Sequence, residues 1–301
     1  MTKFLIITST EDRASMNIRD NILNDTFLKF KEIDSKWHNN LLFKLEFVVT
    51  KKDWISFFEK NQILIGLTES SLIHLNDLKL KESGIDPDLL IFASRHRSET
   101  ARPAFLTHTT GNWGPKAEFG GNPYQLSKTS AILQKAAYLS LQEQKDIKKK
   151  TEYSLDIEVT HHGPTTLEKP LIFIELGSSE AEWEIKEAGL VLAHALLGTC
   201  EKYVEFQNDK NLKICIGFGG PHYAPNFKKL INYKDIAISF ICPKYFIQYL
   251  NKEIINKMIE NNLEKVDYFI IDWKGTSAQD KKHLIPILEE FDLPIRKTKE
   301  F

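Results

Sequence analysis

Five of the nine histidines in this chain fall in four short polar segments, and each segment follows an apolar run with strand character. SRHRSE at 94–99 follows the run at 89–93, and THTTGNW at 107–113 follows Phe105-Leu106. HHGPT at 161–165 closes the run at 153–160, and GFGGPHYAP at 217–225 closes the run at 212–218. Two further runs end in capable groups without a histidine, ELGSS at 175–179 and DWKG at 272–275. An imidazole can ligate a metal ion or exchange a proton near neutral pH. Glu175 interrupts an otherwise apolar run, where a carboxylate is costly to bury without partners. The segment after it opens a helix, whose free N–H groups suit an anion or a carbonyl oxygen. Ligands bind at the carboxyl ends of strands in open α/β sheets, so this convergence reads as an active site.

Each residue also has a plainer reading. His96 lies among Arg95, Arg97 and Glu99 and fits a surface ion-pair network equally well. His108 fits a hydrogen-bonded strand histidine. If the strand at 153–160 runs on, Leu155, Ile157, Val159 and His161 share one face, and Asp156, Glu158, Thr160 and His162 the other. His161 then reads as a core histidine and His162 as a residue of the polar face, unless the Gly163-Pro164 turn breaks the alternation and admits both to the cleft. Glu175 fits a structural acceptor of backbone N–H groups, or a group that orients a histidine. Gly217 to Gly220 match neither GxGxxG nor GxxxxGK[ST], which excludes a dinucleotide or P-loop reading; such glycines instead let backbone approach a substrate. HExxH and GxSxG are absent, so the common zinc-protease and serine-esterase signatures are missing.

These segments need a scaffold of strands and helices. Strands are expected at 4–8, 45–49, 89–93, 104–107, 153–160, 171–176, 212–218, 236–241 and 268–273. Helices are expected near 18–27, where Ile18, Ile22, Leu23 and Phe27 recur at helical spacing, and at about 123–142, 180–198, 249–263 and 277–290. Ser179 and Glu182 form a capping box at the start of the helix from Glu180. Alternating strands and helices predict an α/β fold: a mostly parallel twisted sheet flanked by helices. The chain reads as a single α/β domain over 1–301, with a polar turn at 144–151 as the place where two lobes would meet.

At 301 residues and 42% hydrophobic content the chain suits a soluble globular protein. The apolar run at 4–7 is too short for a signal-peptide core, and no run is long enough to span a bilayer. Cys200, Cys215 and Cys242 form no CxxC pair, which argues against a disulfide framework and points to a reduced, cytoplasmic setting. A net charge of −1 gives no global nucleic-acid signal, so contact with RNA must come from a local patch. Lys116, Lys128, Lys135, Lys145, Lys148, Lys149 and Lys150 are the candidates, although the run at 145–150 also fits a solvated turn.

The same segments resemble the archaeal and plant class of D-aminoacyl-tRNA deacylases. The matching stretches are SRHRSE at 94–99, LTHTTGNWG at 106–114, FGGNP at 119–123, EVTHHGPT at 158–165 and FIELGSSEAEW at 173–183. GFGGPHYAP at 217–225, PKY at 243–245 and DWKG at 272–275 complete a set that runs in order over most of the chain. The resemblance implies a fold like nucleoside phosphorylases and peptidyl-tRNA hydrolases. It implies hydrolysis of the ester joining a D-amino acid to the terminal ribose of tRNA, tRNA as the partner, and zinc as cofactor. Many members carry Gly-His before Ile-x-Pro-Lys-Tyr; Ser239-Phe240 stands there in this chain, a departure that bears on how many ions bind.

Position and resemblance together assign His161, His162, Glu175 and His222 to catalysis. Arg95, His96, His108, Thr109, Thr110, Ser178, Ser179, Gly219, Gly220, Tyr223 and Lys274 are assigned to substrate binding, and His96, His108, His162 and His222 to a metal ion. Zinc held by these groups would activate a water and polarise the ester carbonyl. A metal-free route would use a histidine base oriented by Glu175, with backbone N–H groups at 177–179 receiving the oxyanion. The segments Gly217–Gly220, with Gly219 and Gly220 foremost, and Gly120-Gly121 are expected close to the α-carbon, where they would exclude one hand. The alternatives are a peptidyl-tRNA hydrolase, another zinc-dependent esterase or amidase, and a non-catalytic module that binds the tRNA acceptor end.

Overall fold

Residues 4–8, the first strand expected from the sequence, lie in the middle of the larger of two β-sheets in the computed structural model, which describes residues 1–48, 54–233 and 235–301. In chain order the first elements are β1 (Thr2–Ser9), α1 (Arg13–Leu23), β2 (Leu28–Trp37), β3 (Asn40–Val48), α2 (Trp54–Lys60), β4 (Asn61–Thr68), α3 (Leu80–Ser83), β5 (Leu89–Arg97) and β6 (Ala104–His108). Then come α4 (Ala131–Ile147), β7 (Ser154–Ile157), β8 (Leu171–Ser178), α5 (Glu180–Trp183) and α6 (Lys186–Phe206). The remainder is β9 (Lys213–Phe218), α7 (Pro225–Tyr233), β10 (Ile236–Cys242), α8 (Lys252–Glu260), β11 (Tyr268–Ile271), α9 (Ala278–Leu288) and β12 (Ile295–Lys297).

Among the described residues the larger sheet runs β2-β3-β4-β1-β5-β8-β6-β7 and the smaller one β10-β9-β11-β12. The smaller sheet is parallel throughout, and the larger is parallel across β4-β1-β5-β8. It turns antiparallel where β6 meets β8 and where β3 meets β4 and β2. The α/β class is therefore the expected one, but the sequence did not show that the sheet is divided. The strand expected at 153–160 stops at Ile157, and the next three residues tie the two sheets together by backbone hydrogen bonds. Glu158 N–H donates to Thr107 O (3.2 Å), Val159 N–H to His222 O (2.9 Å) and Thr160 N–H to Ile241 O (3.0 Å). The turn at 144–151 joins α4 to β7, whereas the change from the larger to the smaller sheet falls between β8 and β9.

Parallel strands buried on both faces read as continuous apolar runs, which is why β1, β5 and β8 were legible. α1, α4 and α6 cover one face, with Ile6, Ile91 and Ile174 beneath them. The other face holds Trp37 and the stacked rings of Phe92 and Phe173, 4.7 Å apart. Helix ends follow their caps. α4 begins at Ala131, later than expected, because Ser130 Oγ accepts from Leu133 N–H (3.0 Å). The helix expected at 180–198 is two helices, broken at Glu184-Ile185, and the Ser179–Glu182 capping box is present on the first. α1 ends at Leu23, leaving Phe27 outside it and exposed. β2, α2 and β4 were not anticipated, and Val49 of the expected strand at 45–49 lies outside the described residues. No helix among the described residues is long and apolar enough to cross a membrane. Lys135 is not available to RNA: it is buried, its Nζ donates to Ile231 O (2.7 Å) and Ile236 O (3.1 Å), and burial lowers its pKa to about 8.

Gly66 on β4 lies against the ring of Trp37, whose Nε1–H donates to Leu78 O at 2.6 Å. A Cβ there would sit 2.6 Å from Trp37 Cε3. Gly66→Ala should therefore lower the unfolding free energy by about 1–3 kcal/mol, the usual range for overpacking. Urea unfolding followed by tryptophan fluorescence measures it; an unchanged midpoint would show that the ring gives way freely.

Candidate active site

The carboxyl ends of β1, β5 and β8 open into a cleft of about 980 Å³. β5 and β8 are paired so that Ser94 stands opposite Glu175, and the antiparallel β6 places Leu106 opposite Glu175 from the other side. Alternation along β5 sends Ser94 and His96 to the same face. His108 ends β6. His161 and His162 follow the crossing segment, and His222 follows β9. Both sheets thus contribute to one site.

Glu175 is its centre. The carboxylate is 4% exposed, accepts from Ser94 Oγ at 2.7 Å, and lies 3.4 Å from His96 Nδ1 and 3.6 Å from His108 Nε2. Burial opposes its ionisation, but the hydrogen bonds and charges of His108 and His96 prevail and hold it well below the usual carboxylate range. Burial likewise opposes charge on both histidines, and Glu175 with Glu158 overcomes it, so their pKa values rise. His161 and His162 behave oppositely. Burial first, and then neighbouring imidazoles, push His161 far down and His162 to about 4.

Three of the imidazoles are fixed in one tautomer by backbone. His108 Nδ1 faces Thr109 O (3.1 Å), His161 Nδ1 faces Val159 O (2.7 Å) and His162 Nδ1 faces Gly163 O (2.6 Å). A carbonyl only accepts, so each Nδ1 carries the proton and each Nε2 is left for another partner. The ligand atoms of these three residues lie within 4.8 Å of one another. A backbone carbonyl on the far ring nitrogen is the usual support of a metal-bound histidine. The extra proton that Glu175 favours on His108 occupies the place on Nε2 that a metal ion would take. Two further groups share the cluster, Glu158–His161–His222 and His96–Glu158–Glu175. His96 Nε2, His108 Nε2 and Glu158 Oε2 are buried without a hydrogen-bond partner. Such atoms call for a ligand, and a donor set of imidazoles and carboxylates fits a cation such as zinc.

The sequence left two placements open for His161 and His162, on opposite faces or both in the cleft, and both join the cluster. His162 has φ of 45°, in the left-handed region, and this breaks the strand alternation just before Gly163. His96, His108, His222 and Glu175 are also brought together. Arg95 borders the cleft, its guanidinium 5.4 Å from the Trp183 ring and donating to Glu11 O. Ser178 and Ser179 border it too, but their groups are engaged: Ser178 Oγ donates to Arg102 O (2.6 Å), and Ser179 N–H donates to Glu182 Oε2 (2.8 Å). The Ser179 amide expected to receive an oxyanion is thus already occupied.

Other assigned residues lie elsewhere. Thr109 and Thr110 are buried. Thr160 Oγ1 and Thr109 Oγ1 are 2.7 Å apart, Thr109 donates to Ser239 O (3.1 Å), and Thr110 donates to Pro164 O (2.7 Å). They fasten the crossing segment. Gly219 and Gly220 have φ of 93° and 79° and pack on the turn after β11, where a Cβ would press on Thr276 and Asp272. Their glycine identity comes from that packing, which removes the reason for placing them at the α-carbon. Gly120 and Gly121 pack on Ile73 and Thr165, and Ile73 borders the cleft. Tyr223 is at the rim, its ring edge-on to His96 and His222, while Lys274 is exposed on the smaller sheet. Phe240 is buried in the apolar cluster of the smaller sheet, so the three-imidazole group forms without a side chain from that position. Sequence reasoning missed Glu158, Ser94, Asp12 and Tyr245. Glu158 heads the EVTHHGPT stretch and is 1% exposed; its Oε1 is 2.8 Å from His222 Nε2, and Tyr245 OH is 3.1 Å from His222 Nδ1. A buried carboxylate three residues before a histidine pair was the available signal. Asp12 accepts from Ser15 and Arg95 N–H, and burial raises its pKa; nothing in the sequence placed it here.

Comparison with known proteins adds the following. A family model described as D-aminoacyl-tRNA deacylase matches residues 83–296. The chain is 35% identical to a D-aminoacyl-tRNA deacylase of Thermococcus kodakarensis, over 96% of this chain and 97% of that one. It is 34% identical to a protein of the same description from Pyrococcus furiosus, again over 96% and 97%. In structure it is similar to a crystallised conserved protein of unknown function, with a TM-score of 0.80, 30% identity and coverage of 99% and 96%.

Glu175→Gln tests the electrostatics. The Glu175 contribution is present above the ordinary carboxyl pKa of 4.5 and that of the histidines below 6.5, fading only as pH rises through their raised values. Breaking a buried ion pair costs about 3–5 kcal/mol. Metal-free Glu175→Gln should therefore lose about that much unfolding free energy between the two values, and less at alkaline pH. A pH-independent loss would contradict the pairing.

Proposed function

The chain belongs to the D-aminoacyl-tRNA deacylase family, and from that premise we propose that the histidine–carboxylate cluster is where it cleaves the ester between a D-amino acid and the terminal ribose of tRNA. The reaction releases free D-amino acid and reusable tRNA. The observation that carries the assignment to this site is the convergence of three imidazoles whose Nδ1 atoms are held by backbone carbonyls, which turns their Nε2 atoms toward one another's neighbourhood beside the buried Glu175. Charged tRNA is a cytoplasmic substrate, and the three buried thiols, with pKa values raised by burial, suit that setting.

His108, His161 and His162 would hold a zinc ion, with Glu158 and His222 beside it. Bound there, zinc supplies a water of lowered pKa and a Lewis acid for the ester carbonyl. The other roles fall to the chain itself. Glu175 favours the charged form of His96, in which the unpartnered Nε2–H donates to the carbonyl oxygen as negative charge grows on it. Glu158 Oε2, which has no hydrogen-bond partner and lies 3.5 Å from His96 Nδ1, accepts a proton from the attacking water. His222, held between Glu158 and Tyr245 at the cleft mouth, passes a proton to the departing ribose oxygen. Trp183 and Arg95 form the cleft wall on the side of α5.

Two outcomes are expected. His162→Ala and His222→Ala should each slow release of D-tyrosine from D-tyrosyl-tRNA by at least about a hundredfold, the scale of a lost acid–base or ligand group. Near-normal turnover in both would remove the cluster from the reaction. Protein prepared without added metal should also retain about one zinc atom per chain by elemental analysis, as a site of this type requires. Chelation should abolish turnover, and full activity after complete zinc removal would refute the metal role.

A further inference from the structure

Apart from Tyr245, which meets His222, the PKY and DWKG stretches take no part in the scheme above, yet the fold brings them together. β9, β10, β11 and β12 are parallel, so their carboxyl ends share one edge. The loop after β9 carries His222, the loop after β10 carries Lys244 and Tyr245, the turn after β11 carries Trp273 and Lys274, and β12 ends at Lys297. The loops are joined by backbone. Lys244 N–H donates to Gly220 O (3.1 Å), and Gly220 N–H donates to Gly275 O (3.1 Å). Tyr245 OH meets His222 Nδ1 at 3.1 Å, so this edge begins at the reactive cluster.

We propose that the carboxyl edge of the smaller sheet docks the acceptor end of tRNA, with Lys244, Lys274, Lys281 and Lys297 on phosphates and Tyr245 and Trp273 against bases. The proposal rests on the deacylase reading and adds the surface that its substrate occupies. Among the described residues none of the four lysines is in an ion pair. The acids of the same edge are turned to other tasks. Asp272 accepts from Gly275 N–H and Asn226 Nδ2, Asp280 from Ser277 Oγ, and Glu300 from Lys297 N–H. Lys281 Nζ and Lys297 Nζ lie over the Trp273 ring at 4.5 and 4.4 Å, Lys281 Nζ also donates to Trp273 O (3.1 Å), and Tyr245 is 44% exposed. Trp273 is half-buried against the apolar cluster of the smaller sheet, so a base would reach its ring by displacing a lysine ammonium group onto the phosphate beside it. Cations set beside aromatic rings are how single-stranded nucleic acid is held, with charge following the backbone and rings stacking on bases. Three of the seven lysines singled out from sequence are less suited. Lys116 pairs with Glu118, Lys150 pairs with Glu152, and Lys135 is buried. In a chain of net charge −1, an uncompensated strip is where a polyanion gains most.

The test is direct binding of uncharged tRNA, and of a short single-stranded RNA ending in CCA, by the full chain over a series of salt concentrations. The Lys244→Ala/Lys274→Ala/Lys297→Ala protein should bind at least about tenfold more weakly, with the slope of log K against log salt shallower by about 2, at roughly 0.7 per single-strand phosphate contact. Trp273→Ala should weaken binding of the short RNA, and Trp273→Phe should largely restore it. Circular dichroism establishes that each variant is folded, and the single Lys274→Ala protein, altered only at an exposed side chain, should still lose part of the slope. Wild-type affinity and slope in the triple variant, or a loss produced instead by Lys145→Ala/Lys148→Ala/Lys149→Ala, would overturn the proposal. Hydrolysis of D-tyrosyl-tRNA by the wild-type protein is read separately. Its absence would sink the deacylase reading while edge-dependent binding stood.

Discussion

A carboxylate held almost out of reach of water can stay ionised only if the protein around it supplies charge and hydrogen bonds, and Glu175 receives both. Ser94 reaches it from the neighbouring strand, His96 from two residues further along that strand, and His108 from the end of the strand on its other side. The register of three strands is therefore locked to one ionised group. A shift of one residue in β5 would turn Ser94 and His96 away from it. The same charge sets the neighbours apart in role. His96 and His108 beside it are drawn toward the protonated form, while burial and the neighbouring imidazoles hold His161 and His162 toward the neutral one.

The division of the sheet explains why the site lies where it does. A single continuous sheet would not bring the loop after β9 to the ends of β5 and β8. The crossing at 158–160 does, by pairing in turn with Thr107 of the larger sheet, with His222 and with Ile241 of the smaller one. Thr109, Thr110 and Thr160 fasten this crossing with side-chain hydroxyls. They matter to the site by holding its backbone carbonyls still, and those carbonyls choose the tautomers of His108, His161 and His162.

Much of this was legible in the sequence, for identifiable reasons. Strands buried on both faces announce themselves as apolar runs, so β1, β5, β8, β9 and β10 could be placed, and the histidines at their ends could be read as one cluster. β2 was not legible, because its faces alternate irregularly and its exposed side carries lysines. The break between α5 and α6 has no glycine or proline to mark it. Glu158 escaped notice because a polar strand face accounts for it equally well until the strand is seen to end at Ile157. Gly219 and Gly220 were read as approaching a substrate, whereas their left-handed backbone is required by packing on the Asp272 turn. Glycine patterns report close approach without saying what approaches. The left-handed φ of His162, which brings both members of the His161-His162 pair into the cluster, has no signature in side-chain type.

On this reading the ester is cleaved between the imidazoles of His108, His161 and His162, with Glu158 and Glu175 beside them. A crystal structure of the protein with zinc and a non-hydrolysable substrate, D-tyrosine joined by an amide to 3′-amino-3′-deoxyadenosine, tests it most directly. Data collected at the zinc absorption edge should place one ion within bonding distance of His108, His161 and His162, with the amide carbonyl between that ion and His96. Zinc bound elsewhere, or the tyrosyl group seated outside the cleft at the ends of β5 and β8, would contradict it.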